Sequence, residues 1–173
     1  AHTSGAVVGA AHAGWRGLAG QGGVGVLESA MRALFERFQA LALTSKAQAA
    51  IKNVANNAES FETVARGTLA WLGPCIGPQA FEVGPEVREA FCAAGPQYSA
   101  CFVPSPTQQG KWLADLAGLA RLRLQAMGVT RIYGNDSSAA WCTVTQSARF
   151  FSHRRDTALL GGSGRLAACI WRG

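Results

Sequence analysis

The chain lacks any Cys-x-x-Cys pair, and its five cysteines are an odd number. This argues against a disulfide framework and against a zinc knuckle built from neighbouring residues. No run of about 18 apolar residues is present, and the first residues show neither the charged nor the apolar region of a signal peptide. We therefore expect a protein of the reducing cytoplasm that has no membrane partner.

Clustered positive charge is also scarce, although the net charge is +6 and the isoelectric point is about 9.5. The basic residues are scattered apart from Arg154-Arg155, and no basic stretch is interleaved with aromatic residues. This pattern predicts no nucleic-acid partner and favours small anionic molecules. With 173 residues, 49% of them hydrophobic, residues 1–173 are expected to form a single domain with a sizeable core.

Histidine occurs only three times, and one copy has a distinctive setting. An apolar run, read as a buried strand from Val7 to Ala11, leads into His12 and then into the turn residues Gly14, Trp15 and Arg16. Side chains at strand ends beside glycine turns are firmly held yet open to ligands. We therefore predict that His12 is functional, while a hydrogen-bonded structural histidine remains the alternative.

Hydrophobic periodicity predicts strands and helices that alternate without strict βαβ regularity. Helices are expected over Val24 to about Ala42, over Pro85 to Ala93, and from Asp115 to a glycine stop at Gly128. Strands are expected at Leu69–Leu72, Cys101–Val103, Ile132–Tyr133 and Gly164–Trp171, the last one central in a sheet. The fold class predicted from this pattern is a mixed α/β domain.

Several polar positions carry separate expectations. Asp115 is interpreted as a helix cap rather than a base, and Arg121 and Arg123 are expected on the solvent side of the helix that it begins. Polar residues at 44–46 and 53–57 predict a tolerant connection within residues 43–68.

Three blocks, taken together, resemble the laccase-like polyphenol oxidase family, which is also described as multifunctional purine nucleoside phosphorylases. The blocks are Ala11–Gly17, then Gly73–Pro78 with Phe81–Val87, then Phe150–Asp156 with Gly164-Arg165, and Asp115-Leu116 and Cys142-Thr143 add weaker matches. The resemblance covers nearly the whole chain and implies a four-layer αββα sandwich with two mixed sheets. It also implies that this chain is the larger C-terminal part of the family's catalytic domain, without its N-terminal portion.

The family's metal site, as the resemblance implies it, has two histidines and one cysteine as ligands. His12 matches the last of these ligands, and no residue here matches the other two. We therefore expect an additional N-terminal segment to complete the site. Zinc is the expected metal and copper the alternative, since imidazole and thiolate ligands suit both.

The resemblance implies a purine nucleoside phosphorylase that acts on adenosine, inosine or methylthioadenosine and also deaminates adenosine. Arg16, Arg154 or Arg155 would hold phosphate, and Trp15 or Phe151 would stack on the purine. The plainer alternatives are surface ion pairs for Arg154 and Arg155, and a core position for Phe151.

Two other functions stay open at this point. The first is copper-dependent oxidation of phenols, ranked lower because a multicopper centre needs many histidines and this chain supplies three. The second is an incomplete, inactive fragment, because two metal ligands of the resemblance have no counterpart. Cysteine-dependent hydrolysis, suggested by fold kinship with toxin domains, ranks below both.

Overall fold

The computed structural model describes residues 1–49 and 60–172. In these ranges the helices are α1 (Trp15–Ala19), α2 (Val26–Ala49), α3 (Phe61–Arg66), α4 (Pro85–Cys92), α5 (Leu116–Ala126) and α6 (His153–Leu160). The strands are β1 (Leu69–Leu72), β2 (Glu82–Val83), β3 (Phe102–Pro104), β4 (Trp112–Ala114) and β5 (Arg131–Gly134). Short 3-10 helices cover Pro96–Cys101 and Ala139–Trp141. No helix in these ranges is long and apolar enough to cross a membrane.

The described strands form two sheets of opposite character. β1 and β5 pair in parallel, from Leu69 opposite Arg131 to Leu72 opposite Gly134. β4 lies between β2 and β3 and is antiparallel to both. The predicted mixed α/β class is therefore confirmed, with one parallel and one antiparallel sheet in the described residues.

The larger hydrophobic core lies among α1, α4, α5 and the antiparallel sheet. Its fully buried members include Leu18, Phe91, Ala114 and Leu119. A smaller cluster joins Met31 of α2 to Leu124 and Val129 beside the parallel pair. Burying a leucine, valine, methionine or phenylalanine side chain stabilises the fold by about 1.5–3 kcal/mol.

The helix signals in the sequence are confirmed where a capping residue is present. Asp115 caps α5 by accepting a hydrogen bond from the Gly118 N–H at 2.8 Å, and Pro85 occupies the first turn of α4. The chain turns at Gly128 with φ of +89°, a conformation that glycine adopts without strain. The predicted helix from Val24 to Ala42 is present as α2, whereas the polar residues 53–57 lie outside the described residues.

Two predicted strands are wrong. Residues 7–11, all within the described ranges, form neither helix nor strand, and the Val7 carbonyl instead accepts a hydrogen bond from the His2 N–H at 3.0 Å. Residues 164–171 are likewise not a strand, and Leu166 and Trp171 are exposed. An apolar run becomes a strand only where a neighbouring strand pairs with its N–H and C=O groups, and the described residues provide no such neighbour. Strand β4, by contrast, was missed because it is only three residues long.

The predicted solvent position of Arg123 is also wrong. Its side chain is almost fully buried and forms an ion pair with Glu28 at 2.9 Å, besides donating to the carbonyl oxygens of Ala19 and Gly23. Arg121 is half-buried and donates to the Asn135 carbonyl at 2.6 Å. Both arginines therefore tie α5 to neighbouring loops, because their long stems reach acceptors that a helical-face pattern does not reveal.

The end of β5 provides a test of this packing. Gly134 and Gly110 have nearly the same φ, +80° and +81°, but a Cβ on Gly134 would collide with the Leu72 carbonyl oxygen, whereas a Cβ on Gly110 would meet nothing within 4 Å. Both alanine variants carry a backbone cost of about 1–2 kcal/mol. Gly134→Ala is expected to lose about 1–3 kcal/mol more, measured by urea unfolding. Equal losses in the two variants would mean that β1 and β5 are not packed as described.

Candidate functional site

His12 is exposed and borders an open depression of about 260 Å³. Gly14, Trp15, Arg16 and Gly17 line the rest of it. The structure thus brings together three residues that the sequence analysis singled out: an imidazole, an indole and a guanidinium. A solvent-accessible imidazole in a depression is free to contact a ligand, which a sealed structural histidine is not.

Helix α1 fixes the positions of these side chains. Gly14 precedes the helix in an extended conformation, and its carbonyl accepts the Leu18 N–H at 2.8 Å. Leu18 is fully buried, and Trp15 packs against the same core. Gly25 lies so close to the Leu18 carbonyl oxygen that any side chain there would collide with it. The backbone that forms the depression is therefore held in place by the hydrophobic core beneath it.

The Arg16 guanidinium stacks on the indole of Trp15, with its central carbon 4.5 Å from the ring centroid. Such stacking holds a guanidinium in place while leaving its N–H edges available. Arg16 is exposed, and among the described residues its side chain has no hydrogen-bond or ion-pair partner, although its carbonyl accepts the Gly20 N–H at 2.9 Å. It is therefore suited to bind a phosphate or carboxylate.

The second arginine block, at the start of α6, is built differently. Arg155 donates to the carbonyl oxygens of Thr143 at 2.7 Å, Val144 at 3.0 Å and Phe150 at 3.0 Å, and also to the Asp156 carboxylate at 2.7 Å. A guanidinium has five N–H donors, so most of those of Arg155 are engaged inside the fold. This geometry favours a structural role for Arg155 over the predicted contact with substrate.

Arg154 and Phe151 are both exposed. Arg154 donates to the Glu82 carbonyl at 2.7 Å, and its guanidinium lies 5.5 Å from the centroid of the Phe81 ring. Phe81 belongs to the same core against which Trp15 packs. The His12 depression and the α6 block therefore border one core. Of the predicted site residues, those that line the depression are His12, Trp15 and Arg16, whereas the predicted residues of the α6 block do not line it.

A polar network that the sequence analysis missed lies at the carboxyl ends of β1 and β5. Asn135 is 2% exposed and donates to the Gly73 carbonyl at 3.1 Å and to the Cys75 sulfur at 3.3 Å. Ser137, held at a φ of +71°, donates to Asp115 Oδ1 at 2.6 Å. The signal that could have found it is the polar triplet 135–137 directly after a strand, at the edge where parallel strands commonly carry function.

Among the described residues that line the depression, His12 is the one whose side chain could bind the expected zinc or copper. The described residues contain no group of three histidine, cysteine or acidic side chains placed to hold an ion. Catalytic zinc uses three protein ligands and one open position. The residues described here therefore do not fit a zinc or copper centre by themselves.

Asp156 provides a pH test of the α6 block. Hydrogen bonds from the Ser152 N–H and then from Arg155 hold the pKa of the Asp156 carboxyl below its usual value. Such a group stabilises the fold above its unfolded pKa of about 3.9, and the contribution disappears as pH falls through the lower folded pKa. Asp156→Asn is expected to lower the urea midpoint at pH 7 and to lower it less at pH 3. The same difference at both pH values would argue against this role.

Comparisons with known proteins agree with the family resemblance. The family model described as multi-copper polyphenol oxidoreductase laccase matches residues 42–173. A purine nucleoside phosphorylase named YfiH from Escherichia coli K12 is 43% identical over 169 residues, covering 97% of this chain and 52% of that protein. A purine nucleoside phosphorylase of Pseudomonas aeruginosa is 40% identical over 168 residues, covering 97% of this chain and 53% of that protein.

A solved crystal structure of a Neisseria meningitidis protein is 37% identical, with a TM-score of 0.49, and the match covers 73% of this chain and 45% of that one. The chain spans about half the length of the curated relatives that it matches. Because the family model covers well over half of the sequence, the chain belongs to the multi-copper polyphenol oxidoreductase laccase family.

Proposed function

We propose that the protein carrying this chain is a purine nucleoside phosphorylase and that the His12 depression forms part of its substrate site. The curated relatives named for this activity support the proposal, with 34–43% identity among those that cover at least 97% of the chain. The observation that carries it is the grouping of an exposed imidazole, an indole and a guanidinium that has no ion-pair partner in the described ranges around one depression.

Phosphorolysis needs three tasks that these groups can perform. Phosphate attacks the ribose carbon that bears the base, so a cation must hold the phosphate and align it, which is the role of Arg16. The purine departs as a poor leaving group unless a proton reaches one of its nitrogens. Imidazole gives and takes protons near neutral pH, so His12 is assigned to that transfer. Trp15 is half-buried and stacked with Arg16, and the part of its indole that stays accessible is assigned to apolar contact with the purine.

These roles are assigned to side chains alone, because His12 supplies a single metal donor and the described residues contain no group of three metal-ligating side chains. Zinc, copper and the deamination of adenosine remain predictions of the family resemblance. Phenol oxidation also remains a prediction, and the three histidines of the chain are few for a multicopper centre.

The proposal is tested by incubating the complete protein that carries this chain with inosine and phosphate. Phosphorolysis must release hypoxanthine and ribose 1-phosphate in equal amounts, and omission of phosphate must abolish both. A parallel reaction with a phenolic dye and copper tests the family's other named activity. Base release that does not depend on phosphate, or dye oxidation without any base release, would overturn the assignment.

A further inference from the structure

Cys75 and Cys142 are paired through their backbones in an isolated parallel bridge. The bridge joins the turn that follows β1 to the segment that follows the second 3-10 helix, and the Thr143 N–H donates to the Cys75 carbonyl at 2.9 Å. Neighbouring strands lie about 4.7–4.9 Å apart. Disulfides join Cα atoms about 4.4–6.8 Å apart, so backbone pairing at the usual strand spacing is compatible with one. Both thiols are free in the structure.

The surroundings of the two sulfur atoms differ. The Gly77 N–H donates to the Cys142 sulfur at 3.2 Å, and a Cβ on Gly77 would lie only 3.0 Å from that sulfur, so glycine permits the close approach. Burial would raise the pKa of the Cys142 thiol, but hydrogen bonds from Thr145 and Gly77 outweigh it and bring the pKa below its usual value. Burial raises the pKa of Cys75 to about 11. The Cys142 thiol therefore loses its proton more readily than the Cys75 thiol, and it does so in a site where Cys142 is only 3% exposed.

We propose that Cys75 and Cys142 form a redox modification site that closes into a disulfide when the protein meets hydrogen peroxide. The Cys142 sulfur attacks a peroxide oxygen, the O–O bond breaks, and a sulfenic acid and one water are formed. The Cys75 sulfur then attacks the sulfenic sulfur, and the S–S bond forms as the S–O bond breaks. The departing hydroxide takes the Cys75 proton and leaves as a second water. The two thiols are oxidised together by two electrons, which the peroxide accepts.

Closure would join two parts of the fold that are far apart in the sequence. Cys75 lies in the turn at the carboxyl end of β1 and contacts the buried Asn135 amide. Cys142 precedes Thr143 and Val144, whose carbonyl oxygens hold Arg155. The bond would therefore tie the end of the parallel sheet to the anchor of α6.

The test treats the complete protein with hydrogen peroxide, blocks the remaining thiols with N-ethylmaleimide, and maps unreduced peptides by mass spectrometry. We expect one linked pair, Cys75 with Cys142, which dithiothreitol reverses. Cys75→Ala is expected to stop at a sulfenic acid on Cys142, which dimedone traps, while the exposed-site control Cys169→Ala keeps the linked pair.

Two results would overturn the proposal. In the first, Cys75 and Cys142 stay free while the exposed Cys169 is oxidised. In the second, the linked peptides contain Cys92 and Cys101 instead. Because the measurement follows peptides rather than turnover, it is independent of the proposed phosphorylase activity.

Discussion

Replacing His12 by alanine is expected to reduce inosine phosphorolysis by the complete protein at least about a hundredfold, since positioned proton transfer typically contributes 10²–10⁴-fold. The loss should appear mainly in kcat, because the proton is needed as the purine leaves and not when the nucleoside binds. The side chain is exposed, so the midpoint of thermal unfolding should stay almost unchanged. Steady-state kinetics with inosine and phosphate, paired with a thermal melt, measure both quantities.

The matched control is His153→Ala. His153 is also exposed, and its Nδ1 atom shares a hydrogen bond with the Thr157 hydroxyl at 3.2 Å within α6. We expect this variant to keep phosphorolysis within a few-fold of the parent. Full activity of the His12→Ala protein would discard the assigned role, and an equal loss in both variants would show that the effect is not specific to the depression.

The second large effect is on stability. Arg123→Ala is expected to reduce the free energy of unfolding by about 3–5 kcal/mol, because it leaves Glu28 without its buried partner. Glu28 is partly buried, which by itself would raise its pKa, but the hydrogen bond from Arg123 keeps the pKa below its usual value. The same substitution frees the carbonyl oxygens of Ala19, the last residue of α1, and of Gly23. Urea unfolding at neutral pH gives the difference directly.

Two further variants make that prediction specific. Arg32→Ala removes an exposed arginine from α2 and should change stability by no more than about 0.5 kcal/mol. Adding Glu28→Gln to Arg123→Ala removes the unpaired carboxylate charge and should recover part of the lost free energy of unfolding. If Arg123→Ala behaves like Arg32→Ala, the ion pair with Glu28 does not form in solution.

Local signals in the sequence predicted much of the fold. The Asp115 cap, the first-turn Pro85 and the periodic apolar residues of α2 each act within one turn of helix, so they are visible in the sequence itself. The two failures, at residues 7–11 and 164–171, concern strands, whose formation depends on a partner elsewhere. An apolar run indicates that a segment is buried, but it does not indicate which strand, if any, pairs with it.

The grouping of residues in the candidate site could be predicted only where it depends on residues that are neighbours in the sequence. His12, Trp15 and Arg16 are close in the chain, so one turn brings them together. The roles of Arg123 and Arg155 depend on carbonyl acceptors far along the chain, and no residue pattern records those acceptors. The pairing of Cys75 with Cys142 could not be predicted, because a bridge between two loops has no periodicity in the sequence.

The most direct measurement is a titration of the complete protein with inorganic phosphate, followed by nuclear magnetic resonance. The Trp15 indole N–H and the backbone amides of Gly14 and Gly17 report on the depression. We expect saturable shifts of these signals that disappear in Arg16→Ala and persist in Arg154→Ala. Shifts confined to the surroundings of Arg154, with residues 14–17 unaffected, would contradict the assignment of the depression as the phosphate site.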